Sequence, residues 1–170
     1  MIRLEAMLNN WKAVRQDTAQ AVEDMPTTDL DFKATPEMDS FRQIAVHVLN
    51  SSNAFIKMAL DGAASLADPA TREKMKNYFI KLPENADGAA IARELRQSLD
   101  ARIAELSQQS PEWFAQMITR PDGQSVTRAE MLQGMKEHEL THRSQLFFCL
   151  RLKGVVPATT RRRLAKQSAR

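Results

Sequence analysis

The chain has 170 residues, and at about 150 residues per domain that length argues for one domain and excludes a two-domain enzyme. Hydrophobic residues make up 43% and charged residues 26%, as in folded globular proteins, and no run of about 18 apolar residues is present to span a bilayer. Five Gly and seven Pro fall below the roughly 12% of an average chain while good helix formers abound, so the composition predicts an all-α fold.

The pI of about 9.2 invites a nucleic-acid function, but the charge is local. Arg161, Arg162, Arg163, Lys166 and Arg170 account for five of the 24 basic residues, leaving 19 against 21 acids in residues 1–160. The basicity belongs to a tail, residues 158–170, expected to be a solvated or frayed end. Neither a nucleic-acid nor a membrane partner is expected. The start, Met1-Ile2-Arg3-Leu4-Glu5, lacks the apolar core of a secretory signal, and the single Cys149 cannot form an internal disulfide, so a cytoplasmic location is expected.

Leu4, Met7, Leu8, Trp11, Val14, Thr18 and Val22 recur at helical spacing and predict a first helix ending near Met25-Pro26. Pro26, Asp29, Asp31 and Pro36 mark a loop. Ser40 with Gln43 forms a capping box for a second helix carrying Ile44, His47, Val48, Ser51, Phe55 and Met58 on one face up to Asp61-Gly62. Asp68-Pro69 opens a shorter helix through Phe79, and Ile91, Leu95, Leu99, Ile103 and Leu106 mark a third long one before Pro111. Residues from Trp113 to Val126, around Arg120-Pro121-Asp122-Gly123, form either a short strand pair or a loop. Thr127 and Glu130 cap a last helix with Met131, Met135, His138, His142, Leu146, Cys149 and Leu152 in its stripe, ending at Gly154 and Pro157. Four long helices with short accessories predict a four-helix bundle.

All three histidines, His47, His138 and His142, fall on stripes read as core-facing. His138 and His142 lie one turn apart on one face, about 6 Å along the axis, so with His47 they form either a facial metal set with an open position or a group of hydrogen-bonded core side chains. The segment His138-Glu139-Leu140-Thr141-His142 also reads H-E-x-x-H. A zinc protease is set aside because residues 143–170 contain no His, Asp or Glu and Gln145 stands where the extended motif has Gly. A di-iron bundle is set aside because Glu139-x-x-His142 is the single Glu-x-x-His pair. Cys149, about 10 Å of helix rise beyond His142, reads as a small core residue rather than a ligand. Gly134, one turn before His138, leaves room either for a ligand or for close helix packing.

Together these segments resemble the DinB-like family of metalloenzymes, the DinB/YfiT superfamily. The resemblance rests on Pro26, Leu30, Phe32 and Pro36, on Ser40-Phe41-Arg42-Gln43-Ile44-Ala45-Val46-His47, on residues 123–130, and on His138-Glu139-Leu140-Thr141-His142-Arg143-Ser144-Gln145-Leu146 continuing to Gly154, with Ser144 where Gly is frequent. It implies an up-down-down-up four-helix bundle over residues 1–157, often homodimeric, holding one divalent ion, zinc or nickel, on His47, His138 and His142. It further implies action on a small molecule, either by transfer or isomerisation with a low-molecular-weight thiol such as bacillithiol, mycothiol or glutathione, or by hydrolysis. For hydrolysis Glu139 is the candidate base, although about 100° of helix separates it from His138 and suits a solvated or supporting role. A metal-binding bundle without catalysis is the third possibility.

Overall fold

The computed structural model describes residues 3–169. In chain order it contains α1 (Leu4–Asp24), a single 3-10 turn (Thr27–Asp29), α2 (Phe41–Leu60), α3 (Pro69–Met75) running into a 3-10 turn (Lys76–Tyr78), α4 (Gly88–Leu106), α5 (Pro111–Ala115), β1 (Met117–Thr119), β2 (Ser125–Thr127), α6 (Arg128–Leu152) and α7 (Ala158–Ser168). The helix starts follow the capping chemistry. Ser40 accepts from the Gln43 backbone while the Gln43 side chain accepts from Ser40 N–H at 2.8 Å, and Thr127 and Glu130 repeat the arrangement at the head of α6. Gly154, at φ +76°, ends α6 in the left-handed conformation that glycine adopts without Cβ strain.

Helices α1, α2, α4 and α6 form the bundle. Each of α1 and α2 packs against both α4 and α6, so α1 and α2 occupy diagonal corners. The directions follow from two apolar clusters. One joins the C-terminal ends of α1 and α6 (Ala19 to Val22, Leu146 to Leu150) to the N-terminal ends of α2 and α4 (Phe41 to Leu49, Ile91 to Leu95). The other joins Met7 to Trp11 and Met131 to Met135 with Ile56 to Ala59 and Leu99 to Leu106. The order is therefore up-down-down-up.

Between the clusters lies a polar layer that apolar periodicity did not foresee. Arg15 and Glu139 are each 1% exposed. Arg15 donates to both Glu139 carboxylate oxygens from Nε at 2.7 Å and Nη2 at 2.9 Å, and also to Ser52 Oγ and the Leu95 carbonyl, at 2.8 Å each. Trp11 Nε1 donates to the same carboxylate at 2.7 Å. One side chain thus ties all four long helices together, and the pairing meets the requirement that a buried charge be matched.

Two expectations are corrected. The core stripe of α6 runs through Met131, Leu132, Met135, Glu139, Leu146, Cys149 and Leu150; the histidines lie beside it, and Leu152 is 52% exposed. Of the tail, expected to be solvated or frayed, residues 161–169 are solvated, but up to Ser168 they are helical: α7 touches α1 through Arg161 to Asp24 at 2.8 Å and Arg162 to Asp17 at 2.5 Å, with Ala158 buried at its base. The ambiguous segment near residue 120 is a strand pair, antiparallel with Ile118 opposite Val126 and Gly123, at φ +84°, in its turn. Among the described residues no helix is long and apolar enough to cross a membrane.

Candidate metal centre

The rotation of α6 that buries Glu139 in the polar layer turns His138 and His142 toward α2, where His47 meets them. His47 is exposed and the other two are half-buried, so the cluster opens to solvent instead of lying in the core. His138 Nε2 is 3.1 Å from His47 Nε2 and 3.1 Å from His142 Nε2, and the rings meet edge to face. A neutral imidazole nitrogen offers one N–H or one lone pair, so hydrogen bonding can satisfy one of these contacts well and not both. The three could hold a metal ion, each offering one ligand nitrogen within 4.8 Å of the others.

The protonation chemistry agrees. His142 Nδ1 donates to Gln145 Oε1 at 2.8 Å, which leaves Nε2 as the lone-pair nitrogen facing its neighbours; an outer partner of this type commonly fixes the tautomer of a metal-ligating histidine. Burial, reinforced by the neighbouring imidazoles of His142 and His47, pushes His138 down to about 4 against the opposing pull of Glu139. Burial and His142 also lower His47, with Asp39 opposing. Neutral rings are the ligating form.

The other residues singled out from sequence separate cleanly. Glu139 is neither solvated nor bonded to a histidine; both its oxygens are engaged by Trp11 and Arg15. Cys149 is buried, and burial raises its thiol, so it is a core side chain. Gly134 is not a packing glycine, since a Cβ built on it meets nothing within 4 Å. Neither the mismatch of Gln145 to the protease motif nor its place in the family-like segment reveals this contact; the available signal was its position three residues after His142.

Two clefts flank the histidines. One, of about 270 Å³, is lined by His138, Gly134, Met131, Met135, Phe55 and Leu66, and also by Arg120, Asp122 and Glu130. The turn of the hairpin supplies Arg120 and Asp122 to that lining, and the hairpin is fastened by Leu66 N–H to the Thr119 carbonyl at 2.7 Å and Thr119 N–H to the Ala64 carbonyl at 2.9 Å. The other, of about 460 Å³, lies on the His47 side among Gln43, Val46, Asn50, Met75 and Phe79. Phe55 borders both.

A bundle of this connectivity with three histidines shared between α2 and α6 defines a class, and the sequence bears it out: it matches the DinB family over residues 1–169. The chain belongs to the DinB family. Among solved structures it is similar to a DinB-like protein, YjoA of Bacillus subtilis (21% identity, 87% of this chain and 92% of that one, TM-score 0.67). It is similar also to YfiT of Bacillus subtilis, described as a probable metal-dependent hydrolase with an unusual four-helix bundle topology (21% identity, 91% of each chain, TM-score 0.67). A mycothiol-dependent maleylpyruvate isomerase shares the fold at 13% identity over 85% of this chain and 61% of its own (TM-score 0.64). At these identities the likeness is one of fold. No curated protein matches the sequence.

Proposed function

We propose that the chain is a divalent-metal-dependent enzyme in which His47, His138 and His142 hold one zinc or nickel ion, and that its nucleophile is a low-molecular-weight thiol acting on a small electrophilic molecule. The observation that carries the choice of nucleophile is the engagement of the carboxylates that α6 and the hairpin bring to the His138 side of the cluster, Asp39 on the His47 side standing apart from them. Glu139 is held by Trp11 and Arg15, Glu130 caps Thr127, and Asp122 pairs with Arg120 at 3.1 Å. No free base is left among them to take a proton from water, whereas a thiol, with a pKa of about 8.5, needs the least help. When bound, a divalent ion supplies the positive charge that favours the thiolate over the thiol.

The chain's own groups do the rest. Gln145 holds the His142 tautomer, the neutral rings leave the centre its full charge, and the two clefts give room for two reactants. The thiol sulfur forms the new bond to the electrophilic carbon. The thiol proton goes to solvent, and the leaving group takes the electron pair of the bond that breaks. Hydrolysis is the second candidate, favoured by the description of YfiT.

Cobalt substitution tests the choice. Adding glutathione, bacillithiol or mycothiol to the Co²⁺ protein should give an intense sulfur-to-metal band in the near ultraviolet, retained in Cys149→Ser and absent in His138→Ala. Ester or amide turnover without any thiol, together with an unchanged spectrum, would overturn the thiol assignment in favour of hydrolysis.

A further inference from the structure

Gly134 lies within the long helix α6, does not use positive φ, and points a hypothetical Cβ into open space. Neither of the usual structural reasons for a helical glycine applies. Gly88 shows the contrast: a Cβ there would stand 2.7 Å from the Val22 carbonyl oxygen, so that glycine is required by helix packing. What Gly134 preserves is the volume of the cleft beside His138. We propose that this cleft receives a compact, uncharged, apolar part of the substrate, and that position 134 sets the size of group admitted.

The inference rests on the metal-dependent assignment above and adds a specificity determinant to it. The walls, Phe55, Leu66, Met131 and Met135, are apolar, and methionines adapt to the shape of what they contact. The ionic side chains that also line it are paired with each other or with the backbone: Arg120 with Asp122, Glu130 with the Thr127 N–H. Nothing in the cleft therefore calls for a charged ligand. At about 270 Å³ it falls just below the roughly 300–1,000 Å³ of sites for drug-sized ligands, which suits a short alkyl chain or a single ring.

The test uses the full-length Co²⁺ protein and two series of probes that share only their tails: ethane-, butane- and hexanethiol, and the matching alkylhydroxamates, with affinity read from the cobalt spectrum. In the wild type Kd should fall by about fourfold for each added methylene until the cleft is full. Gly134→Leu should keep its cobalt and its affinity for the ethyl probes and lose the gain with length. Gly134→Ala should shorten the gain by about one methylene and fold at least as stably as the wild type. Val46→Phe, in the cleft on the His47 side, should leave the gain intact.

A flat length dependence in the wild type would overturn the inference, as would an unchanged one in Gly134→Leu or its loss in Val46→Phe. If Gly134→Leu does not fold, an unchanged gain in Gly134→Ala, or destabilisation by that alanine, has the same effect. Hydroxamates that show the gain while thiols leave the spectrum unchanged would remove the thiol assignment and leave this one standing. Silence from both series would remove both.

Discussion

Arg15 of α1 and Glu139 of α6 form a two-pronged ion pair at 2.7 and 2.9 Å in the centre of the bundle, one residue along the chain from His138, which occupies the middle of the histidine cluster. The packing of the core and the orientation of the site are therefore set by the same turn of α6. Removing one member of a buried pair strands the other charge at a cost of about 3–5 kcal/mol. Glu139→Gln and Arg15→Met should each destabilise by that order in urea titrations. The double variant should be less destabilised than the sum of the two, because no charge is then stranded and glutamine still offers Trp11 an acceptor. A fully stable Glu139→Gln protein that had lost activity would instead mark Glu139 as a catalytic base.

Metal content should be one ion per chain and should fall strongly in His47→Ala, His138→Ala and His142→Ala. Because the three histidines come from α2 and α6, a bound ion would act as a cross-link. At free metal about 1,000-fold above Kd it should stabilise the fold by about 4 kcal/mol, so chelation should lower Tm in the wild type and have no effect in His138→Ala. Gln145→Leu should weaken metal binding by about 10- to 100-fold while leaving the apo protein's Tm unchanged. Full metal affinity in His47→Ala would break the three-histidine assignment.

The two helical glycines should respond to alanine with opposite signs. Gly134→Ala removes the cost of glycine in a helix, about 1 kcal/mol, and should raise stability toward that limit. Gly88→Ala drives a methyl into the Val22 carbonyl and should cost about 1–3 kcal/mol. Denaturation midpoints of the two variants decide it, and stabilisation by alanine at position 88 would contradict the close approach of α4 to α1.

Deleting residues 161–170 removes the Arg161–Asp24 and Arg162–Asp17 pairs. Exposed pairs are worth about 0.2–1 kcal/mol each, so the truncation should lose at most about 2 kcal/mol, and less in 1 M salt, where screening reaches about 3 Å. Its metal content should equal that of the full chain. Loss of the ion on truncation would mean that α7 belongs to the unit that builds the site.

Much of the fold was legible because its signals are local. Two capping boxes start α2 and α6 at the expected residues, and the apolar spacing of α1, α2 and α4 marks their inner faces. The inner face of α6 was misread because hydropathy ranks histidine above glutamate as a core residue. Glu139 is buried only because Arg15, far away in sequence, is there to neutralise it, and no periodicity within one helix reveals a partner in another. The same reason hid α7, whose docking charges are matched by Asp17 and Asp24 of α1. The histidines themselves were legible as a set, since two share a helical face and the third lies on the facing helix; their exposure was not.

The diagonal placement of α1 and α2 also has a consequence in time. Arg15 is synthesised 124 residues before Glu139, which at about 5–20 residues per second is roughly 6–25 s of translation. His47 likewise precedes His138 by 91 residues. Throughout that interval the nascent N-terminal helices hold an unpaired arginine meant for the interior and one histidine of the three, so they can neither close the native core nor assemble the histidine cluster. Both events wait for α6, and a chain stalled before it keeps that arginine unpaired, however long it has had to fold.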